Sequence, residues 1–247
     1  MPEPSVGALP VNLYVAGRQA MLEFDLDGYA RAAPLFLLAL ESRPEDALVH
    51  GALAETYAFW GSRREKNGQE CLSYYGLCFE EARKALELGP GVGQTHRAMA
   101  VALRAGVMED AEAAIREAAR ACELSPYDGE NCWELWRATG CDPQNPLIQK
   151  ALDLFPNLCG ARIDLGVALC ERDRLDEAEL HLLKALEINP RNSLALYDFA
   201  MVKLRKAMVG EAGQILSRAL EFCPEDPLLL SGLELAKAEK GEPAAAA

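Results

Sequence analysis

Eight cysteines and three histidines are the residues of this 247-residue sequence best suited to metal or redox chemistry. A structural zinc site needs thiolates and imidazoles at short fixed spacings, and a dithiol redox centre of the common kind needs a C-x-x-C. Cys71, Cys78, Cys122, Cys132, Cys141, Cys159, Cys170 and Cys223 form no C-x-x-C. The expectation is therefore no metal and no cofactor, with most cysteines serving as small, reduced core residues. The stretch GPGVGQ at 89–94 carries the glycines of a phosphate-cradling loop. It lacks the following G-K-[ST] and a preceding strand, so it reads as a loop between helices. DLDG at 25–28 opens like a calcium loop, yet Phe36 stands where a bidentate Glu is required. It reads as a turn and cap, with Asp27 starting the next helix. No G-x-S-x-G, H-E-x-x-H or Cys–His pairing is present. No catalytic residue is assigned, and the chain is expected not to be an enzyme.

The composition narrows the partners. Half of the residues are apolar, 26% are charged, and the net charge is −13. Such a chain lacks the basic face that phosphate neutralisation needs, which argues against nucleic acid and against anionic membrane surfaces. The N-terminal stretch has no basic n-region, its first basic residue being Arg18, and no apolar run is long enough to span a membrane. The expected location is the cytoplasm.

The elements that would position any site are set by a repeat. Six segments share one pattern: ALESRP ending at Pro44, ALELGP at Pro90, ACELSP at Pro126, ALDLFP at Pro156, ALEINP at Pro190 and ALEFCP at Pro224. The prolines stand 46, 36, 30, 34 and 34 residues apart. Recurrence at such a period is the mark of a stacked helical array. Ala39, Ala85, Ala121, Ala151, Ala185 and Ala219 are small enough for a neighbouring helix to pass close. The next residue is Leu in five copies and Cys122 in the other, and it fills core. The acid that follows faces solvent. The Pro cannot continue a helix and drives its predecessor out of helical geometry, so each helix stops there.

A second helical pattern precedes each signature. In 159–190, Leu165, Gly166, Ala178, Leu182, Ala185 and Pro190 fall at positions 7, 8, 20, 24, 27 and 32 of the unit. The unit 193–224 repeats them with Phe199, Ala200, Ala212, Leu216, Ala219 and Pro224. The unit 95–126 does so with Val101, Ala102, Ala114, Ala118, Ala121 and Pro126. This resembles the tetratricopeptide repeat over about residues 12 to 240. The resemblance implies an all-α, right-handed solenoid of helix-turn-helix repeats with a C-terminal capping helix. The expected layout is an N-terminal arm, 1–11, and one superhelical domain, 12–240. Its repeats are approximately 12–44, 45–90, 93–126, 127–156, 159–190 and 193–224, with a cap at 226–240 and a disordered tail at 241–247. Repeat two carries an insert; SRREKNG reads as a charged turn, and the helix after it as prolonged at its N-terminus. Repeat four is four residues short.

The resemblance also implies a binding surface, because first helices line the concave side through positions 2, 5 and 9. Those positions include Glu55 in the second repeat, His96, Met99 and Leu103 in the third, and Trp133 and Arg137 in the fourth. They include Ile163 and Val167 in the fifth, and Tyr197 and Met201 in the sixth. Arg137 is the one lysine or arginine among them, so the resemblance does not extend to domains that clamp a peptide's terminal carboxylate. The expected function is a non-enzymatic scaffold or adaptor that takes an apolar peptide or helix of another protein into the groove. Two alternatives stay open: a self-association module forming homo-oligomers, and a regulatory subunit of an enzyme complex.

Overall fold

The computed structural model describes residues 8–106 and 110–240. All regular structure among them is helical. The helices pack as two units, one reaching Leu158 and the other starting at Cys159. The first holds α1 (Ala8–Met21), α2 (Leu26–Ser42), α3 (Ala47–Lys66), α4 (Leu72–Leu88), α5 (Gly93–Arg104), α6 (Ala111–Leu124), α7 (Gly129–Ala138) and α8 (Pro146–Leu154). The second holds α9 (Cys159–Glu171), α10 (Leu175–Ile188), α11 (Ser193–Arg205), α12 (Val209–Leu220) and α13 (Pro227–Lys240). Within the first unit α1 packs on α2, and from α4 to α8 each helix packs on the next; within the second, α9 through α13 do the same, as an all-α repeat stack requires.

The six signatures act as their chemistry dictates. All six alanines are fully buried, at 0% exposure. The residue before each signature proline donates its N–H to that alanine's carbonyl: Arg43 to Ala39, Gly89 to Ala85, Ser125 to Ala121, Phe155 to Ala151, Asn189 to Ala185 and Cys223 to Ala219. In the first five copies that residue has left helical geometry, with φ between −132° and −139° and ψ between 61° and 94°. A following proline imposes that departure. The small residue at position 8 is equally constrained. A Cβ on Gly166 would lie 2.7 Å from Leu182 Cγ, so only glycine lets α10 close on α9 without displacement. In the second unit Ala200, Leu204, Ala212, Leu216 and Ala219 form a core with Leu229 and Ala236 of α13.

Three boundaries differ from the sequence reading. Residues 8–11, expected in an arm, belong to α1. Asp25, not Asp27, caps α2, its carboxylate accepting from the Gly28 N–H at 2.7 Å. Most of SRREKNG is helix: α3 runs on to Lys66, and the turn is confined to 67–71, with Gly68 at φ 67°. Tertiary contacts override the charge run. Arg63 is buried, Arg64 donates to the Glu70 carbonyl at 2.7 Å, and the Tyr75 hydroxyl donates to Glu65 at 2.7 Å. The insert thus lengthens both helices of its hairpin. Residues 1–7 of the expected arm and the tail at 241–247 lie outside the described residues.

Candidate functional site

On the inner face of the first unit, α1, α3, α5 and α7 bring together charges of both signs. The Arg97 guanidinium lies 2.7 Å from Glu55, 3.1 Å from Asp128 and 3.3 Å from Glu130, and donates to Asn131 at 3.0 Å. Arg18 reaches two of these acids from α1, at 3.0 Å from Glu55 and in direct contact with Glu130. Asp128 also caps α7 through the N–H groups of Glu130 and Asn131. Glu55 and Arg97 are 2% and 4% exposed. Burial raises the pKa of Glu55 in spite of both arginines. Burial also opposes ionisation of Glu130, but Arg97 and Arg18 outweigh it and hold that carboxyl below its usual range.

Beside this network lies a cluster of rings. Phe24, in the turn after α1 at φ 58°, stands 5.3 Å from Phe59 and 5.7 Å from Trp133 between ring centres. Phe59 stacks on Trp133 at 5.9 Å, and the Arg137 guanidinium sits 4.9 Å from the Trp133 ring centre. This geometry is favourable for a cation over an aromatic face.

The consequence for the expected groove residues is direct. Glu55, Met99 and Trp133 are buried. His96 is half-buried, with Nδ1 2.6 Å from Glu117 and Nε2 2.9 Å from the Pro90 carbonyl oxygen. His50 makes the same pair of contacts one repeat earlier, to Glu81 and Pro44, so this histidine joins a repeat to the turn before it. Leu103 and Arg137 are half-buried. In the second unit Ile163 is buried and Val167 half-buried. Tyr197 and Met201 pack against the core around Leu216, and the Tyr197 ring lies against Gly232 of α13.

An opening remains in the first unit, a cavity of about 510 Å³. Ala58, Phe59, Val101, Ala105, Leu72 and Tyr75 give it apolar walls, and Ser62, Glu65, Arg104 and Arg137 its polar lining. Glu134, itself buried, holds both arginines: Arg104 Nε at 2.9 Å and Arg137 Nη1 at 3.4 Å. Leu72, at the start of α4, is 64% exposed. Of the residues expected from the sequence only Arg137 lines this cavity. Ala58 and Phe59 come from α3 before the insert, Ser62, Glu65, Leu72 and Tyr75 from the insert, and the rest from the end of α5; the visible signal was the Leu72, Tyr74 and Tyr75 cluster that follows the charge run.

Among the described residues no group of three or more His, Cys, Asp or Glu is arranged to hold a metal ion. No helix among them is long and apolar enough to cross a membrane.

No protein-family model matches the sequence, and no curated protein matches it. Solved structures do. The human IFIT1 dimer with m7Gppp-AAAA superposes with a TM-score of 0.69 at 17% identity, over 87% of this chain and 52% of that one. The APC/C hetero-tetramer Cut9–Hcn1 does so with a TM-score of 0.60 at 15% identity, over 92% of this chain and 46% of that one. The chain therefore spans about half the length of each. YrrB, a TPR protein with an unusual peptide-binding site, gives a TM-score of 0.48 at 22% identity, over 81% of this chain and 98% of that one. The first two likenesses establish the fold, an all-α stack of tetratricopeptide-type helical repeats.

Proposed function

We propose that this chain, a helical repeat protein of tetratricopeptide type in its fold, is a protein-interaction module rather than an enzyme. Its partner inserts an apolar side chain into the cavity between the insert hairpin and α5. The observation that carries the reading is the cavity's mixed lining: Phe59, Tyr75 and aliphatic groups share its walls with Ser62, Glu65, Arg104 and Arg137, and Leu72 stands largely exposed beside them. Apolar concavities with a few fixed polar groups are the usual form of a binding site. The neighbouring arginines are already paired with Glu134, so they orient a ligand more than they attract one. IFIT1 is seen with capped RNA, but a net charge of −13 disfavours the same ligand class here.

The test is capture of partners on the immobilised chain, identification by mass spectrometry, and titration calorimetry with the captured segment. Leu72→Asp should weaken binding by about thirtyfold, the effect of losing a contact of roughly 2 kcal/mol. Affinity should change little with salt, because the contact is apolar. Wild-type affinity in Leu72→Asp, or collapse of binding at high salt, would place the partner elsewhere. Light scattering showing a stable dimer that Leu72→Asp dissolves would replace the partner with a second copy of the chain.

A further inference from the structure

Two successive joints of the second unit share one register and differ in charge. α10 and α12 start at Leu175 and Val209, and α11 and α13 carry lysines at that same spacing: Lys203 and Lys206, then Lys237 and Lys240. Between α10 and α11 the lysines meet acids. Lys203 lies 2.7 Å from Glu179, and Lys206 lies 2.7 Å from Asp176 and 2.6 Å from Glu179. Between α12 and α13 the places of Asp176 and Glu179 are held by Gly210 and Gly213. A Cβ on either glycine would meet nothing within 4 Å beyond the backbone of its own helix. Both glycines line a groove of about 510 Å³, and both lysines line it from the other side. We propose that this groove binds an acidic segment of another protein, whose carboxylates take the places that Asp176 and Glu179 fill one repeat earlier.

The lining fits that occupant. Arg218, Lys237 and Lys240 bring three cations to the groove against one acid, Glu221, in a chain whose net charge is −13. Complementary charge of this kind selects a partner and its register. Lys237 pairs along α13 with Glu234 at 2.8 Å, and Glu234 is half exposed. Such a pair contributes little, so an incoming carboxylate can replace it. The apolar part of the lining is small: Val209, Leu233 and Ala236. Gln214 and Ser217 of α12 line the groove where α10, at the same register, carries the exposed Leu180 and Leu183. A polar segment therefore gains more here than an apolar one. The joint between α10 and α11 also fixes the class of anion, since two carboxylates three residues apart satisfy lysines at this spacing. The apolar cavity of the first unit plays no part in this binding.

The experiment titrates the full chain by calorimetry with the peptide ADAAELAA, which keeps the acid spacing of Asp176 and Glu179, and with its neutral counterpart ANAAQLAA. The acidic peptide should bind about tenfold more tightly, the effect of two ion pairs, and should weaken as salt is raised. Lys237→Gln combined with Lys240→Gln should remove that tenfold advantage. Gly213→Glu restores the acid of the preceding repeat, fills the groove and pairs its lysines from within. It should abolish binding while the melting temperature holds or rises, because the added side chain has open space and glycine is a poor helix residue. Equal affinity for the two peptides, salt-independent binding, unchanged affinity in Gly213→Glu, or no binding of the acidic peptide would each overturn the proposal. Inorganic phosphate binding as tightly as the peptide would also overturn it, leaving a simple anion site. A dimer seen by light scattering that Gly213→Glu dissolves would put a second copy of the chain in the groove instead.

Discussion

Replacing Arg97 with Met should destabilise the first unit far more than replacing Glu55 with Gln, although the two residues share one ion pair. Arg97 contacts Glu55, Asp128, Glu130 and Asn131 at once. Together with Arg18 these groups make two cations against three acids, a formal charge of −1. Removing Arg97 leaves one cation, Arg18 beside Glu55 and Glu130, against three acids, at −2, with Glu55 fully enclosed. Breaking a buried pair from one side typically costs about 3–5 kcal/mol, because an uncompensated charge stays buried. Glu55→Gln acts in the other direction. It brings the site to neutrality and keeps a hydrogen-bonding group beside Arg97 and Arg18. It also removes the acid whose ionisation burial already opposes. The loss of charge-assisted hydrogen bonds, about 1.5–3 kcal/mol, is then largely offset. The double variant should recover part of the Arg97→Met loss. Urea unfolding followed by circular dichroism measures all four proteins. Equal losses from the two single variants, or a loss below about 1 kcal/mol for Arg97→Met, would refute the reasoning.

Other outcomes follow from single contacts. Gly166→Ala should destabilise the second unit by about 1–3 kcal/mol through overpacking against Leu182, and Ala185→Leu and Ala219→Leu should do the same; unchanged melting in all three would contradict the repeat packing. His181 is held down to about 4 by burial and then by Arg162 and Lys184, from an ordinary value of 6.5. Its neutral form therefore stabilises the fold fully above pH 6.5, and that contribution is lost as pH falls toward 4; His181→Gln should flatten this part of the stability profile, and an imidazole titrating near 6.5 by NMR would refute the assignment. Glu55 works with the opposite sign, its raised pKa making stability fall as pH rises above its ordinary 4.5, a slope that Glu55→Gln should remove. Leu72→Asp should leave the melting temperature unchanged, because Leu72 is mostly exposed; a large drop would make it a core residue.

The repeat was legible because its determinants are local. An alanine that must be small and a proline that must end a helix act within one signature, and all six alanines are buried as that logic requires. The insert was harder. SRREKNG has the composition of a turn, and only contacts such as Arg64 with the Glu70 carbonyl and Tyr75 with Glu65 show why α3 continues through it. The inner face was least legible. Arg18 meets Glu130 across 112 positions of sequence, and no periodicity reports such a contact. A partial signal existed, since Glu55 and Glu130 put acids on faces otherwise apolar and Arg97 adjoins the inner position 96. Opposite charges at inward positions of successive repeats indicate a face closed on itself. The cavity was not legible because Ser62, Glu65, Leu72 and Tyr75 of its wall come from the insert, which has no counterpart in a regular repeat.

The most direct measurement is hydrogen exchange of the full chain, alone and with its captured partner. If the partner docks where the insert meets α5, binding should protect amides in 58–75 and 101–106 while leaving the buried inner segments 95–99 and 130–134 unchanged. Protection confined to α9–α11, or to the outer helices α2 and α6, would contradict that docking site.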